Sequence, residues 1–234
     1  MTSTDHQKQA PLRLLDDSVC GRLGPGDLGV ITARAGVGKS ALLVNIALAQ
    51  LLQERPVLHV ALDQQVAEVR AWYDRMVTEA ARHGLLEATD AQRMELERRR
   101  HIHSYLRQGF TAEKLSEALA FLADVMDFHP HTVLIDGFPF ELASTEVVDE
   151  LRDLARSSET SIWLTALTHR HEPIDPEVGL PKPVDRFAEL LRLVVRLVPE
   201  GNRVLLRLLQ DQGGPGSEQL PIRLDPATML LAAD

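Results

Sequence analysis

Short apolar runs alternate along the chain with longer stretches in which apolar residues recur every three to four positions. That is the pattern of an α/β protein with a largely parallel sheet. The first run, Leu28-Gly29-Val30-Ile31-Thr32, leads through a glycine-rich turn into ALLVNIALAQLLQ. The latter is apolar on nearly every side and predicts a helix buried against the sheet. Val57 to Leu62 predicts a second strand, followed by a helix with apolar positions at Val66, Val69, Trp72, Tyr73, Met76 and Val77. Their helical spacing puts Trp72 and Tyr73 in the core rather than on a base-stacking platform. HIHSYL reads as a third strand, and Thr111 as the cap of a helix burying Leu115, Leu119, Leu122 and Met126.

Thr132 to Asp136 predicts a strong strand, followed by a helix through Val148, Leu151 and Leu154 and a strand from Ile162 to Thr168. Pro173, Pro176, Pro181 and Pro183 interrupt the rhythm, so the segment from His171 to Pro183 is expected to be an extended surface loop. LLRLVVRLV and RVLLRLL flank Pro199-Glu200-Gly201-Asn202, which signals a hairpin. A short strand from Leu220 to Leu224 and the run from Met229 to Leu231 close the chain. The expected organisation is a flexible tail over 1–13 and one α/β domain over 14–234.

Composition narrows the classes. The chain has 234 residues with 44% hydrophobic content, enough for one sizeable core. Its ten N-terminal residues are polar and no apolar run approaches the roughly 20 residues that span a bilayer, so a soluble, cytoplasmic protein is expected. One cysteine, Cys20, leaves no internal disulfide and no cysteine cluster for zinc. With 34 acidic and 25 basic side chains, the net charge of −9 has the wrong sign for a surface that neutralises nucleic-acid phosphates. The densest basic cluster, Arg98-Arg99-Arg100, closes a mixed-sign segment that reads as a solvated helix face. His101 and His103, His129 and His131, and His169 and His171 lie two apart. Lacking a carboxylate or cysteine at ligand spacing, they read as surface or satisfied residues.

The chemistry concentrates in Ala33-Arg34-Ala35-Gly36-Val37-Gly38-Lys39-Ser40, which departs from the phosphate-loop pattern GxxxxGK[ST] only in having Ala33 for the first glycine. It lies between a predicted strand and a predicted helix, the context that the motif requires. Phosphate binding needs backbone N–H groups converging on the anion, turns only glycine takes easily, and a helix N-terminus, so Ala41 joins the candidates. Gly36 and Gly38 would supply the turns, Lys39 an ammonium for the β- and γ-phosphates, and Ser40 a hydroxyl for Mg²⁺. Asp136, closing an apolar strand, is the expected second magnesium residue. Asp63, closing the strand after the phosphate-loop helix, is placed where a base orients water against the γ-phosphate. ATP with Mg²⁺ is the expected ligand.

RLGPGDLGVITARAGVGKSALL, VLHVALDQQV, TVLIDGF, IWLTALTHR, the closing hairpin and QDQGGPGSEQLPIRLDPATMLL occur in an order that resembles the ATPase core of RecA-like proteins. The likeness is closest to the DnaB-type helicases and KaiC-type ATPases. It runs from about Leu14 to Leu231. It implies a P-loop NTPase fold: a twisted, mostly parallel sheet between helices, a C-terminal β-hairpin, and nucleotide at the strands' C-terminal edge, often between subunits. Departures accompany it. Asp63 stands where the family has a glutamate, one methylene longer. His169 stands where the helicases have a γ-phosphate-sensing glutamine, and it reads either as a phosphate donor or as a surface residue. Gln210 and Gln212 align with the helicases' lysine and arginine fingers, whose charge an amide cannot replace; Arg203 or Arg207 could serve instead. The proline-rich loop, placed where relatives present DNA-binding loops, carries Lys182 against Glu172, Asp175 and Glu177.

Three functions follow as expectations. The first is a slow Mg-dependent ATPase stimulated by a partner or by self-assembly at the nucleotide edge. The second is an ATP-dependent switch or scaffold with little hydrolysis. The third, a DNA-stimulated motor or recombinase, is disfavoured by charge, and strong DNA binding is not expected.

Overall fold

A computed structural model of the chain describes residues 10–87, 89–169, 178–212 and 214–233. A nine-stranded sheet in the order β3-β2-β4-β5-β1-β6-β7-β8-β9 forms the middle layer. The strands are β1 (Leu28–Ala33), β2 (Val57–Leu62), β3 (Arg100–Tyr105), β4 (Thr132–Asp136), β5 (Ser161–Leu167), β6 (Leu193–Glu200), β7 (Arg203–Asp211), β8 (Gly214–Leu224) and β9 (Leu231–Ala233). From β3 to β6 every pairing is parallel, and from β6 onward antiparallel. The helices are α1 (Ala10–Ser18), α2 (Lys39–Leu52), α3 (Val66–Arg82), α4 (Asp90–Arg98), α5 (Ala112–Met126) and α6 (Thr145–Ser157).

Strands buried on both faces read as unbroken apolar runs, as in β1, β2 and β4. Along β1 the alternation assigns the faces. Ile31 and Ala33 join the core built with α2 and α3, while Leu28 and Val30 join the core built with α5, α6 and Phe187. Every α2 residue from Ala41 to Leu51 is buried, as an all-round apolar helix requires. Gly29 lies opposite Trp163 in the β1–β5 register, and a Cβ there would meet the indole ring at 2.7 Å, so no larger residue fits.

Residues 10–13 of the expected tail are helical, because α1 starts at Ala10 and buries Leu12 and Leu15. Residues 171–177 of the expected surface loop lie outside the described residues, but its end is not superficial, because Leu180 is fully buried. Met126 is exposed, since α5 turns its last residue away from the sheet and Asp127 ends the helix in a left-handed conformation. β8 is far longer than Leu220–Leu224. The Arg98-Arg99-Arg100 run splits: Arg98 and Arg99 pair with Glu95, whereas Arg100 turns inward, 4.1 Å over the Tyr73 ring. Cys20 is buried, which raises its thiol pKa and keeps it unreactive.

Tyr73 Oη in turn lies 3.0 Å from Nδ1 of His59, a buried residue of β2 whose Nε2 has no hydrogen-bond partner among the described residues. Burial pushes the His59 pKa down to about 4, with Asp136 opposing that shift in part and Arg100 adding to it. The ordinary value near 6.5 applies once the chain unfolds, so above that pH both states are neutral and the residue has no pH-linked effect. As pH falls from about 6.5 towards 4, the unfolded chain takes a proton that the folded one refuses. Stability should therefore fall by on the order of 3 kcal/mol over that window. Urea titrations from pH 7 to 4.5 should show this loss and a flatter profile in His59→Gln. Equal slopes in the two proteins would remove His59 as its source.

Candidate nucleotide-binding site

The segment from Ala33 to Ser40 runs from the C-terminal end of β1 into the first turn of α2. Its two glycines adopt conformations that side chains disfavour, Gly36 at φ 74° and Gly38 at φ 115°. Gly38 is further constrained because a Cβ would lie 2.5 Å from Cδ2 of Leu224, whereas the space around Gly36 is open. The first N–H groups of α2 have no partner within the helix and give the loop a positive rim. Lys39 curls back along it, with Nζ donating to the carbonyls of Ala33 at 3.1 Å and Arg34 at 3.2 Å. Burial lowers the Lys39 pKa, and Asp136 partly opposes the shift.

Asp136 ends β4, which is separated from β1 by β5 alone. The intervening strand supplies a residue that the sequence did not reveal. Thr165 Oγ1 donates to Asp136 Oδ1 at 2.8 Å and accepts the Gly137 N–H at 2.8 Å. Gln64 Nε2 lies 3.4 Å from the other carboxylate oxygen. Asp136 is thus buried and aimed from two sides. Thr165 and Gln64 could have been suspected only as polar residues beside an apolar strand.

Asp63 follows β2 in the left-handed region at φ 60°. Its Oδ1 accepts the Arg107 N–H at 2.8 Å, and its Oδ2 lies 3.3 Å from Arg107 Nε. The guanidinium also reaches Gly137, with Nη2 at 3.5 Å from where a Cβ would stand. Asp63, Arg107 and the Asp136–Gly137 turn therefore occupy one corner of the C-terminal edge. His169 is exposed on the same edge, one residue after Thr168, whose N–H donates to the Ala33 carbonyl at 3.1 Å.

Gln210 and Gln212 lie at the other end of the sheet, since the ladder aligns Gly29 with Leu193 and Leu193 with Asp211. Gln210 is buried and its amide donates to Ala188 O at 2.9 Å and Leu191 O at 2.5 Å, so it pins the segment before β6. Arg203 sits by the hairpin turn at the phosphate-loop end, paired with Glu200 at 2.6 Å.

A left-handed glycine loop on a helix N-terminus, a lysine along it, and a hydroxyl and a buried carboxylate beside it form a donor set that fits nucleotide phosphates with magnesium. Ser40 and Asp136 are the residues that would hold the ion. Fold and site together define a P-loop nucleoside-triphosphate-binding protein. A family model described as an AAA domain, AAA_25, matches residues 1–155, well over half the chain, and the chain belongs to this family of P-loop ATPases. The match takes in the phosphate loop, Asp63 and Asp136 and stops before β5. No curated protein matches the chain. Among the described residues no helix is long and apolar enough to cross a membrane.

Proposed function

We propose that the chain is a slow Mg-dependent ATPase of RecA-like organisation, akin to the DnaB-type and KaiC-type branch, whose turnover is set by a partner or by self-assembly at the nucleotide edge. Ser40 and Asp136 would hold magnesium, which when bound would supply charge neutralisation for the phosphates. Lys39 would turn from the loop carbonyls to the phosphates, and Asp63 would orient water. The observation that carries the slow rate is the Asp63–Arg107 pair. A carboxylate whose Oδ1 accepts the Arg107 N–H and whose Oδ2 faces the guanidinium is held towards Arg107 rather than towards a water until Arg107 is drawn away. No cation stands at Gln210 or Gln212 to act on a neighbour's nucleotide, a contribution worth about 10³ to 10⁵ in rate elsewhere. The same pair favours the second reading, an ATP-dependent switch, in which the γ-phosphate competes for Arg107 and rearranges the corner without rapid hydrolysis.

Measuring ATP turnover and oligomeric state in the same samples, with and without single-stranded DNA, tests the proposal. Turnover below about 10⁻² s⁻¹, the range of P-loop proteins lacking a trans-acting cation, is expected, with no response to DNA. ATP-dependent assembly without turnover would select the switch. Stimulation by DNA, or sub-micromolar binding that weakens steeply with salt, would restore the motor reading.

A further inference from the structure

We propose a second oxyanion site, fitted to a small phosphate ligand and separate from the phosphate-loop cradle, formed by Arg34, Arg196 and Arg207 around the hydroxyl of Thr32. The strand register builds it. Thr32 on β1 is the partner of Arg196 on β6, and Arg196 is the partner of Arg207 on β7, so the three side chains stand in one row on one face of the sheet. That face belongs to Val30 and Val194, opposite the face that carries α2. Arg34 follows Thr32 by two residues and belongs to the phosphate loop itself.

The row contains no acid. Beyond Thr32 the register gives Ala166, and beyond Arg207 it gives Gln219. Among the described residues no carboxylate lies within ion-pair distance of any of the three arginines, although Arg203, on the same hairpin, is paired with Glu200. Arg34 and Arg207 are exposed and Arg196 is half-buried, so solvent screens part of their mutual repulsion, and an anion settling among the three would relieve the rest. Arg196 feels this crowding: burial lowers its pKa, and Arg207 and then Arg34 lower it further.

Thr32 is the independent sign of a ligand. It is wholly buried, and among the described residues its Oγ1 has no hydrogen-bond partner, a rare condition for a buried hydroxyl. A tetrahedral phosphate offers acceptors for several guanidinium forks and for a hydroxyl together, more than a carboxylate can. Arg34 links this site to the nucleotide loop, because its carbonyl accepts Lys39 Nζ at 3.2 Å while its side chain joins the cluster. An anion that draws in Arg34 would thereby shift a carbonyl that Lys39 grips.

The test uses the full chain, with inorganic phosphate as probe. Thermal melting in phosphate is compared with chloride at equal ionic strength, and phosphate and ATP are titrated calorimetrically. Lys39→Ala disables the nucleotide loop and should keep the rise in melting temperature. The double variant Arg196→Gln/Arg207→Gln should lose that rise and bind phosphate at least about tenfold more weakly, yet still bind ATP, which shows that it is folded. In chloride, Arg207→Gln alone should melt above the unaltered chain because like-charge repulsion is relieved. The proposal fails if the rise vanishes in Lys39→Ala or persists in the double variant. It fails also if the cluster retains a single-stranded oligonucleotide but no free phosphate. ATP titrations on the same samples separate these outcomes from failure of the nucleotide assignment.

Discussion

Lys39→Ala is expected to weaken ATP binding by about 10² to 10⁴ while leaving the melting temperature of the nucleotide-free protein nearly unchanged. Charge-assisted hydrogen bonds contribute about 1.5–3 kcal/mol each, and losing two of them at the β- and γ-phosphates corresponds to that factor. The fold should not notice the loss, because both carbonyls that Lys39 holds keep another donor. Ala33 O still accepts the Thr168 N–H at 3.1 Å, and Arg34 O the Val37 N–H at 3.4 Å. The carbonyls would therefore not be orphaned. Calorimetric titration of the variant with ATP and magnesium reads the affinity, and thermal melting reads the fold. Unchanged affinity would remove the phosphate-loop assignment, and a collapsed fold would make Lys39 a structural residue.

What could be read from the chain before its structure was known follows from how local each feature is. The phosphate loop is contiguous, so its glycines, lysine and serine stand together in the sequence, and the flanking strand and helix are signalled by apolar period alone. Asp136 was legible because it ends an unmistakable strand. Thr165 was not, since its partnership with Asp136 spans 29 residues and arises only because β5 lies beside β4. Arg107 was invisible for the same reason: its contact with Asp63 depends on β3 pairing with β2. Arg100 looked like one more charge on a solvated helix, and only the Tyr73 ring beneath it explains its burial. The expected strand Leu220–Leu224 covers only the second half of β8, which starts at Gly214. The strand β8 continues through two shifts of register against β7, with Pro215 paired to Gln210 and Pro221 falling within one of the shifts. Gln210 was compared with a finger by alignment, whereas its amide satisfies two carbonyls at the far edge of the sheet.

Asp63→Asn is expected to reduce ATP turnover by about 10²- to 10⁴-fold, the usual contribution of a general base, while leaving ATP affinity within a few-fold. The geometry makes the substitution a clean one. An asparagine tolerates the left-handed backbone at φ 60°, and its carbonyl oxygen can still accept the Arg107 N–H that Oδ1 accepts now. What it loses is the charge that faces Arg107 Nε and the capacity to take a proton from water. Because the pair is about half exposed, its ionic part contributes little to stability, so folding should be almost unaffected. Arg107→Ala is the contrasting variant: it frees the carboxylate, and turnover should stay equal or rise where Asp63 is the base. Steady-state phosphate release in the three proteins decides the matter. Normal turnover in Asp63→Asn would reduce Asp63 to a staple for the turn after β3. Equal loss in both variants would mean that Arg107 itself serves the γ-phosphate and that its release from Asp63 is the step a partner controls.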